Sequence, residues 1–230
     1  DMMSNRSPVA FLVDVDNTLL DNDRIERDIK RHFDGIFGPN AGNDFWDTFE
    51  AVRTELSYAD YFGALQRYRL GRVCDQRVLD VSSFLIDYNF VDCLYPHAIE
   101  VIARLKSVAP TIIVSDGDAV FQPRKVRRSG IWKAVDGRVL IYIHKETMLD
   151  DIAEKYPAAR YVMIDDKIRV LAAMKKTWPD RLTTVFVRQG HYAKDQDVVA
   201  QYPPADFTIE NIAALLQPDL IATLRDHAKA

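Results

Sequence analysis

Five short apolar runs constrain this chain more than any other feature. They are Val9–Val13, Thr111–Val114, Val139–Ile143, Tyr161–Ile164 and Thr183–Val187. Each is apolar nearly throughout rather than at every second residue. A strand with one face in water alternates apolar and polar residues, and a strand covered on both faces does not. Between the later runs the spacing turns helical. Ile99, Ile102, Ala103 and Lys106 share one face of a predicted helix, Leu149, Ile152, Ala153 and Tyr156 another, and Ile168, Leu171, Ala172 and Lys175 a third. Strands alternating with helices predict an α/β layered fold with a mostly parallel sheet.

Residues 21 to about 93 break that rhythm, with no convincing strand. Four apolar stripes at helical spacing replace it: Ile25, Ile29, Phe33 and Ile36; Phe45, Phe49, Val52 and Leu56; Tyr61, Leu65 and Tyr68; and Val78, Leu85 and Ile86. Residues 38–43, GPNAGN, read as the turn between the first two, and Asp75 is placed to cap the last. The stripes are aromatic, but burying such faces is what holds short helices together, so they read as core. The chain therefore carries a helical insert after its first strand, and the sheet is expected to resume around Leu94-Tyr95-Pro96.

With 230 residues, 48% hydrophobic and 28% charged, the chain is long enough for a sizeable core. A net charge of −4 argues against a nucleic-acid partner, and the basic run Arg124-Lys125-Val126-Arg127-Arg128 reads as a solvated helix face. The opening DMMSNRSP has no apolar secretion core, and no run approaches membrane-spanning length. Cys74 and Cys93 form neither a disulfide framework nor a metal-ligand pattern. These features predict a cytoplasmic protein with no membrane partner; they do not fix an oligomeric state.

Ligands of an open parallel sheet bind beyond the carboxyl ends of its strands. The first run ends in Asp14-Val15-Asp16-Asn17-Thr18, the second in Ser115-Asp116-Gly117-Asp118, and the fourth in Asp165-Asp166-Lys167; His144-Lys145 follows the third. Clustered carboxylates repel one another and resist losing water. A divalent cation removes both problems, and hard oxygen donors with few histidines suit Mg²⁺.

DVDNTL, IIVS, Lys145 and VMIDD stand in the order of the four motifs of the haloacid dehalogenase (HAD) superfamily, which this chain resembles over essentially its whole layout. The helical insert lies where that family carries a type C1 cap. The resemblance implies a Rossmann-like core over residues 1–20 and 94–230 and a helical cap over 21–93; position alone then predicts hinges near Leu20-Asp21 and Cys93-Tyr95. By the same resemblance, Asp14 matches the nucleophile that forms an aspartyl-phosphate. Asp16 matches the general acid/base, and its backbone carbonyl a metal ligand. Asn17 and Thr18 match the loop whose N–H groups hold phosphate, although Thr18 equally suits a purely turn-stabilising role. Ser115, helped by the Asp116 N–H, matches the phosphate-binding hydroxyl. Asp116 and Asp118 depart from the amide or small residue usual there, so their side chains are expected to point away or to cap. Lys145 matches the lysine that neutralises nucleophile and phosphoryl group, with Lys167 as backup. Asp165 and Asp166 match the metal-binding pair, with Asp166 favoured as direct ligand.

The implied activity is Mg²⁺-dependent hydrolysis of a small phosphorylated metabolite. A phosphotransferase or phosphomutase shares every motif. A haloacid dehalogenase would share the nucleophile but lack the acid at Asp16 and need no metal. A non-catalytic binding module would be expected to have lost Asp14 or a metal carboxylate. Substrate choice would lie in the insert, where Arg24, Arg53, Tyr58, Tyr61, Arg67, Tyr68, Arg69 and Arg72 are the candidates to face the site.

Overall fold

Phe11, Leu12 and Val13 are fully shielded from solvent because their strand, β1 (Ser7–Val13), lies inside a six-stranded sheet. A computed structural model describes residues 6–230; the first five residues of the polar lead fall outside the described residues. The other strands are β2 (Thr111–Asp116), β3 (Val139–Tyr142), β4 (Ala158–Asp165), β5 (Leu182–Val187) and β6 (Phe207–Ile209). Their order is β3-β2-β1-β4-β5-β6 and every neighbouring pair is parallel. Alternation along β1 sends Val9, Phe11 and Val13 into one apolar layer and Ala10 and Leu12 into the other. Both faces being covered, the strands can be apolar throughout.

Helices fill both layers. They are α1 (Asn22–Phe37), α2 (Ala41–Leu56), α3 (Tyr61–Leu70), α4 (Arg77–Asp87), α5 (Ala98–Val108), α6 (Phe121–Arg128), α7 (Ile131–Ala134), α8 (Leu149–Lys155), α9 (Ile168–Thr177), α10 (Gly190–Lys194), α11 (Gln196–Val199) and α12 (Leu220–Lys229). Helices α1 to α4 lie between β1 and β2 in the chain with no strand among them. Their aromatic stripes do pack as core. Phe33 stacks on Phe45 at 4.2 Å between ring centroids, and the edge of Tyr68 meets Phe33 at 5.2 Å. Asp75 accepts the Arg77 N–H at the start of α4.

The way into this helical segment runs beside the way out. Leu20 bridges Leu94 in antiparallel fashion, Asp21 N–H donates to the Cys93 carbonyl and Tyr95 N–H to the Leu19 carbonyl. The sheet therefore does not resume at Leu94-Tyr95-Pro96: that stretch pairs with the outgoing chain, and β2 begins only after α5. In α5 the buried face is Ala98, Val101, Ile102 and Leu105, so Ile99, Ala103 and Lys106 fall outside it. Ile99 is apolar yet exposed, which rotates the apparent stripe. Strand β3 stops at Tyr142, leaving Ile143 exposed. The short β6 extends the edge where no apolar run announced a strand. Cys74 is exposed, Cys93 is buried, and both are free. No described helix is long and apolar enough to cross a membrane.

Candidate active site

The chain turns to one side of β1 to make β2 and β3, then crosses to the other side to make β4. Strand order thus reverses between β1 and β4, where an open α/β sheet leaves a crevice. Asp14 directly follows β1, with its N–H bonded to the Ile164 carbonyl of β4. Asp165 ends β4 and Asp166 follows it. All three are buried. Lys145, in the 3-10 turn after β3, reaches between them. Its Nζ lies 2.7 Å from Asp14 Oδ1 and 2.6 Å from Asp165 Oδ2. The Thr18 hydroxyl lies 3.0 Å from the other Asp14 oxygen and 3.4 Å from Asp166 Oδ1.

Burying three carboxylates together has an electrostatic cost, which one lysine offsets only in part. Burial, then the nearby Asp165 charge, pushes Asp14 above the ordinary carboxylate range despite Lys145. Burial and the charges of Asp14 and Asp165 push Asp166 well above it. Burial alone would lower the Lys145 ammonium, but Asp14, Asp165 and Asp116 reverse the sign and hold it firmly protonated. One oxygen from each of Asp14, Asp165 and Asp166 falls within 4.8 Å of the others. The Oδ2 atoms of Asp165 and Asp166 are both buried outside any hydrogen bond, but Asp165 Oδ2 is paired with Lys145 Nζ at 2.6 Å and its Oδ1 accepts the Lys167 N–H, whereas Asp166 Oδ2 has neither a hydrogen-bond nor an ion-pair partner. An all-oxygen set with an orphaned carboxylate oxygen fits a hard divalent cation.

The turn after Asp14 is built around Asn17, whose φ of 59° is left-handed, a conformation asparagine tolerates. Its side chain accepts the Asn22 and Asp23 N–H groups at the start of α1. The backbone N–H of Asn17 donates to the Leu20 carbonyl and that of Thr18 to the Val15 carbonyl. Both groups expected to face phosphate are therefore spent inside the turn, and what Thr18 offers the site is its hydroxyl.

Ser115 is buried at the end of β2, with its Oγ accepting Gln122 Nε2 at 2.9 Å. Asp116 turns to the Lys145 N–H, and Asp118 accepts the Val120 and Phe121 N–H groups at the start of α6. Both unusual acids are thus engaged by backbone, as expected. Burial nonetheless lifts Asp116 to about 6.

Asp16 is more open than Asp14 or Asp165, at 30% side-chain exposure against 8% and 0%, and α6 holds it. Lys125 Nζ lies 2.8 Å from Oδ1, and Gln122 Nε2 lies 3.2 Å from Oδ2. This corrects the reading of Arg124–Arg128 as a solvated face. Arg127 and Arg128 are exposed, but Lys125 is only 1% exposed, because it has a carboxylate to reach inside. Sequence reasoning also missed Gln189. Its amide donates to the Asn17 and Thr18 carbonyls and accepts the Ile212 N–H, clamping the turn from β5's end. Beside it, Gly190 (φ +77°) passes so close to Asn17 that a Cβ would sit 2.5 Å from Asn17 Cγ. His191 binds Asp23 through both its N–H and its ring. The signal available was RQGHY directly after an apolar run, at another strand's carboxyl end.

A cleft of roughly 260 Å³ opens over these groups. Asp16, Asn17, Asp116, Gln122, Asp166 and Lys167 line its floor, and Trp46, Phe49, Arg53, Tyr58 and Tyr61 form the opposite wall. Arg53 donates to the Tyr192 hydroxyl across the cleft. Of the insert residues expected to face the site, Arg24, Arg67, Tyr68, Arg69 and Arg72 do not line it. Arg67 pairs with Glu55, and Arg72 lies over the Tyr68 ring. Lys167 Nζ sits 4.6 Å from the Tyr192 ring centre, which leaves Lys145 as the lysine between the carboxylates.

A family model described as haloacid dehalogenase-like hydrolase matches residues 9–176. A solved haloacid dehalogenase-like hydrolase from Burkholderia xenovorans is 56% identical, with a TM-score of 0.87, over 93% of this chain and 99% of that one. The magnesium-bound HAD-hydrolase YfnB from Bacillus subtilis is 17% identical with a TM-score of 0.58, over 91% of this chain and 97% of its own. The L-2-haloacid dehalogenase from Xanthobacter autotrophicus, with chloropropionic acid covalently bound, is 14% identical with a TM-score of 0.62, over 94% and 98%. These last two show the shared fold alone. No curated protein matches the sequence.

Proposed function

Because the chain belongs to the haloacid dehalogenase-like hydrolases, we propose that it is a Mg²⁺-dependent phosphoric monoester hydrolase acting on a small phosphorylated metabolite. The observation that carries this reading over dehalogenation is Asp16: a second acid opening on the cleft, two residues after the buried Asp14. Carbon–halogen cleavage releases a stable halide and needs no proton donor, whereas an alkoxide leaving from phosphorus does. The helices of residues 21–93 serve as the cap that shields the reaction and selects the substrate.

Asp14 attacks phosphorus, and Asp16 protonates the leaving oxygen. Water then attacks the phosphorylated Asp14, giving its proton to Asp16. Lys145 and Ser115 hold the phosphoryl oxygens, and the Thr18 hydroxyl fixes the second Asp14 oxygen. Asp14, Asp166 and the Asp16 carbonyl would hold the Mg²⁺, with Asp165 next to it and tied to Lys145. When bound, the ion supplies positive charge that offsets the clustered carboxylates and the phosphate. A phosphotransferase would use the same groups, with a substrate hydroxyl in place of water.

The test is hydrolysis of p-nitrophenyl phosphate with Mg²⁺ and with chelator, beside Asp14→Asn and Asp16→Asn. Metal-dependent turnover lost in Asp14→Asn supports the reading. Chloride release from 2-chloropropionate without metal, and no phosphate release, would refute it.

A further inference from the structure

Resting on that reading, we propose that Lys125 and Gln122 are positioning residues for Asp16, holding its carboxylate where it accepts the proton of the attacking water. The two residues are three apart on α6 and so project from one face. Each takes a different oxygen of the same carboxylate: Lys125 Nζ lies 2.8 Å from Oδ1 and Gln122 Nε2 lies 3.2 Å from Oδ2. A carboxylate has about four acceptor directions. Two are fixed by α6, and the rest remain for groups in the cleft.

The grip is built at some cost. Lysine is almost never fully buried unless paired, yet Lys125 is 1% exposed. Among the described residues its one ion-pair partner is Asp16. Its second hydrogen bond, to Asn22 Oδ1 at 2.9 Å, anchors the ammonium to the first residue of α1. Gln122 is anchored in turn by Ser115 Oγ at 2.9 Å. Gly117 makes room for it, since a Cβ there would lie 2.5 Å from the Gln122 side chain. A lysine placed only to satisfy the core would be matched to an equally buried acid. Its partner here is an acid that lines the cleft and keeps 30% side-chain exposure.

The step served is breakdown of the phosphorylated Asp14. A bond forms between water oxygen and phosphorus, the bond from phosphorus to the Asp14 oxygen breaks, and that electron pair stays on Asp14 as carboxylate. The proton released by water goes to Asp16.

Rapid-mixing kinetics with p-nitrophenyl phosphate and Mg²⁺ isolate this step, because nitrophenolate leaves without protonation. Asp16→Asn is expected to give a burst of nitrophenolate, slow turnover and a phosphorylated protein visible by intact mass. Lys125→Met is expected to keep the burst while steady turnover falls about 10- to 100-fold with the same phosphoprotein accumulating, and Lys125→Arg to recover part of the loss. Gln122→Met, which keeps the buried ion pair, should follow in the same direction by about 3- to 10-fold. Accumulation in Asp16→Asn but not in folded Lys125→Met or Gln122→Met would overturn the proposal while leaving the phosphatase reading intact. Absence of turnover in the wild type and of phosphoprotein in every variant would overturn both.

Discussion

Lys145 Nζ lies 2.7 Å from Asp14 Oδ1, with both side chains almost wholly out of solvent, although 131 residues of chain separate them. This buried carboxylate and its countercharge are therefore held by two different elements, the end of β1 and the turn after β3; on the proposed mechanism they are the nucleophile and its neutralising cation, in place before any substrate arrives.

Lys145→Met removes the cation from two buried carboxylates. Breaking a buried ion pair costs about 3–5 kcal/mol, so the thermal midpoint measured in chelator should fall markedly, and Mg²⁺ should recover part of the loss. Turnover should drop about 100- to 1000-fold in kcat, the scale on which preorganised electrostatic groups act. A Lys145→Met protein as stable and as active as wild type would show that the pair is incidental.

Stability should depend on pH and Mg²⁺ together. Asp14 and Asp166 are raised above the ordinary 3.8, so the metal-free fold binds more protons there than the unfolded chain does. Their contribution is fully present below that ordinary value and is lost as pH rises through the folded values. Bound Mg²⁺ replaces the protons. The gain in melting temperature on adding Mg²⁺ should therefore grow between about pH 5 and pH 8, as melting curves in chelator and in Mg²⁺ would show.

The two adjacent aspartates should not be equivalent. Asp165 is occupied by Lys145 and the Lys167 N–H, whereas Asp166 presents an unpartnered oxygen. Calorimetric titration should find Mg²⁺ affinity lowered about 100-fold or more by Asp166→Asn and only about 10-fold by Asp165→Asn, the scale of an outer ligand. The reverse order would exchange their roles.

Gly190→Ala tests the clamp on the Asn17 turn. A side chain at φ +77° is strained by about 1–2 kcal/mol, and its Cβ would also collide with Asn17 at 2.5 Å. Urea unfolding should show a loss of about 2–4 kcal/mol, with activity reduced through the displaced turn.

Much of the candidate site was legible because β1, β2 and β4 each read as an apolar run with a polar or acidic residue at its carboxyl end. Asp14, Ser115, Asp165 and Asp166 were found that way, and the continuity of Phe11-Leu12-Val13 marked a sheet covered on both faces. What escaped depends on approach between distant segments. Lys125 sits in a basic run that reads as solvent-facing until Asp16, over 100 residues earlier, comes within 2.8 Å. Gln189 works through backbone carbonyls some 170 residues earlier, which no local pattern records. The face of α5 was misjudged because Ile99 is apolar and yet exposed. The spent N–H groups of Asn17 and Thr18 follow from a turn conformation that residue types alone do not fix.

On the proposed mechanism, Asp14 carries the phosphoryl group. Acid quenching during turnover of a phosphate ester, borohydride reduction and peptide mapping would convert a phosphorylated aspartate to homoserine. Homoserine is expected at position 14, appearing only with substrate and Mg²⁺ and enriched in Asp16→Asn. Homoserine at position 16 instead, or steady turnover with none at position 14 even in Asp16→Asn, would contradict it.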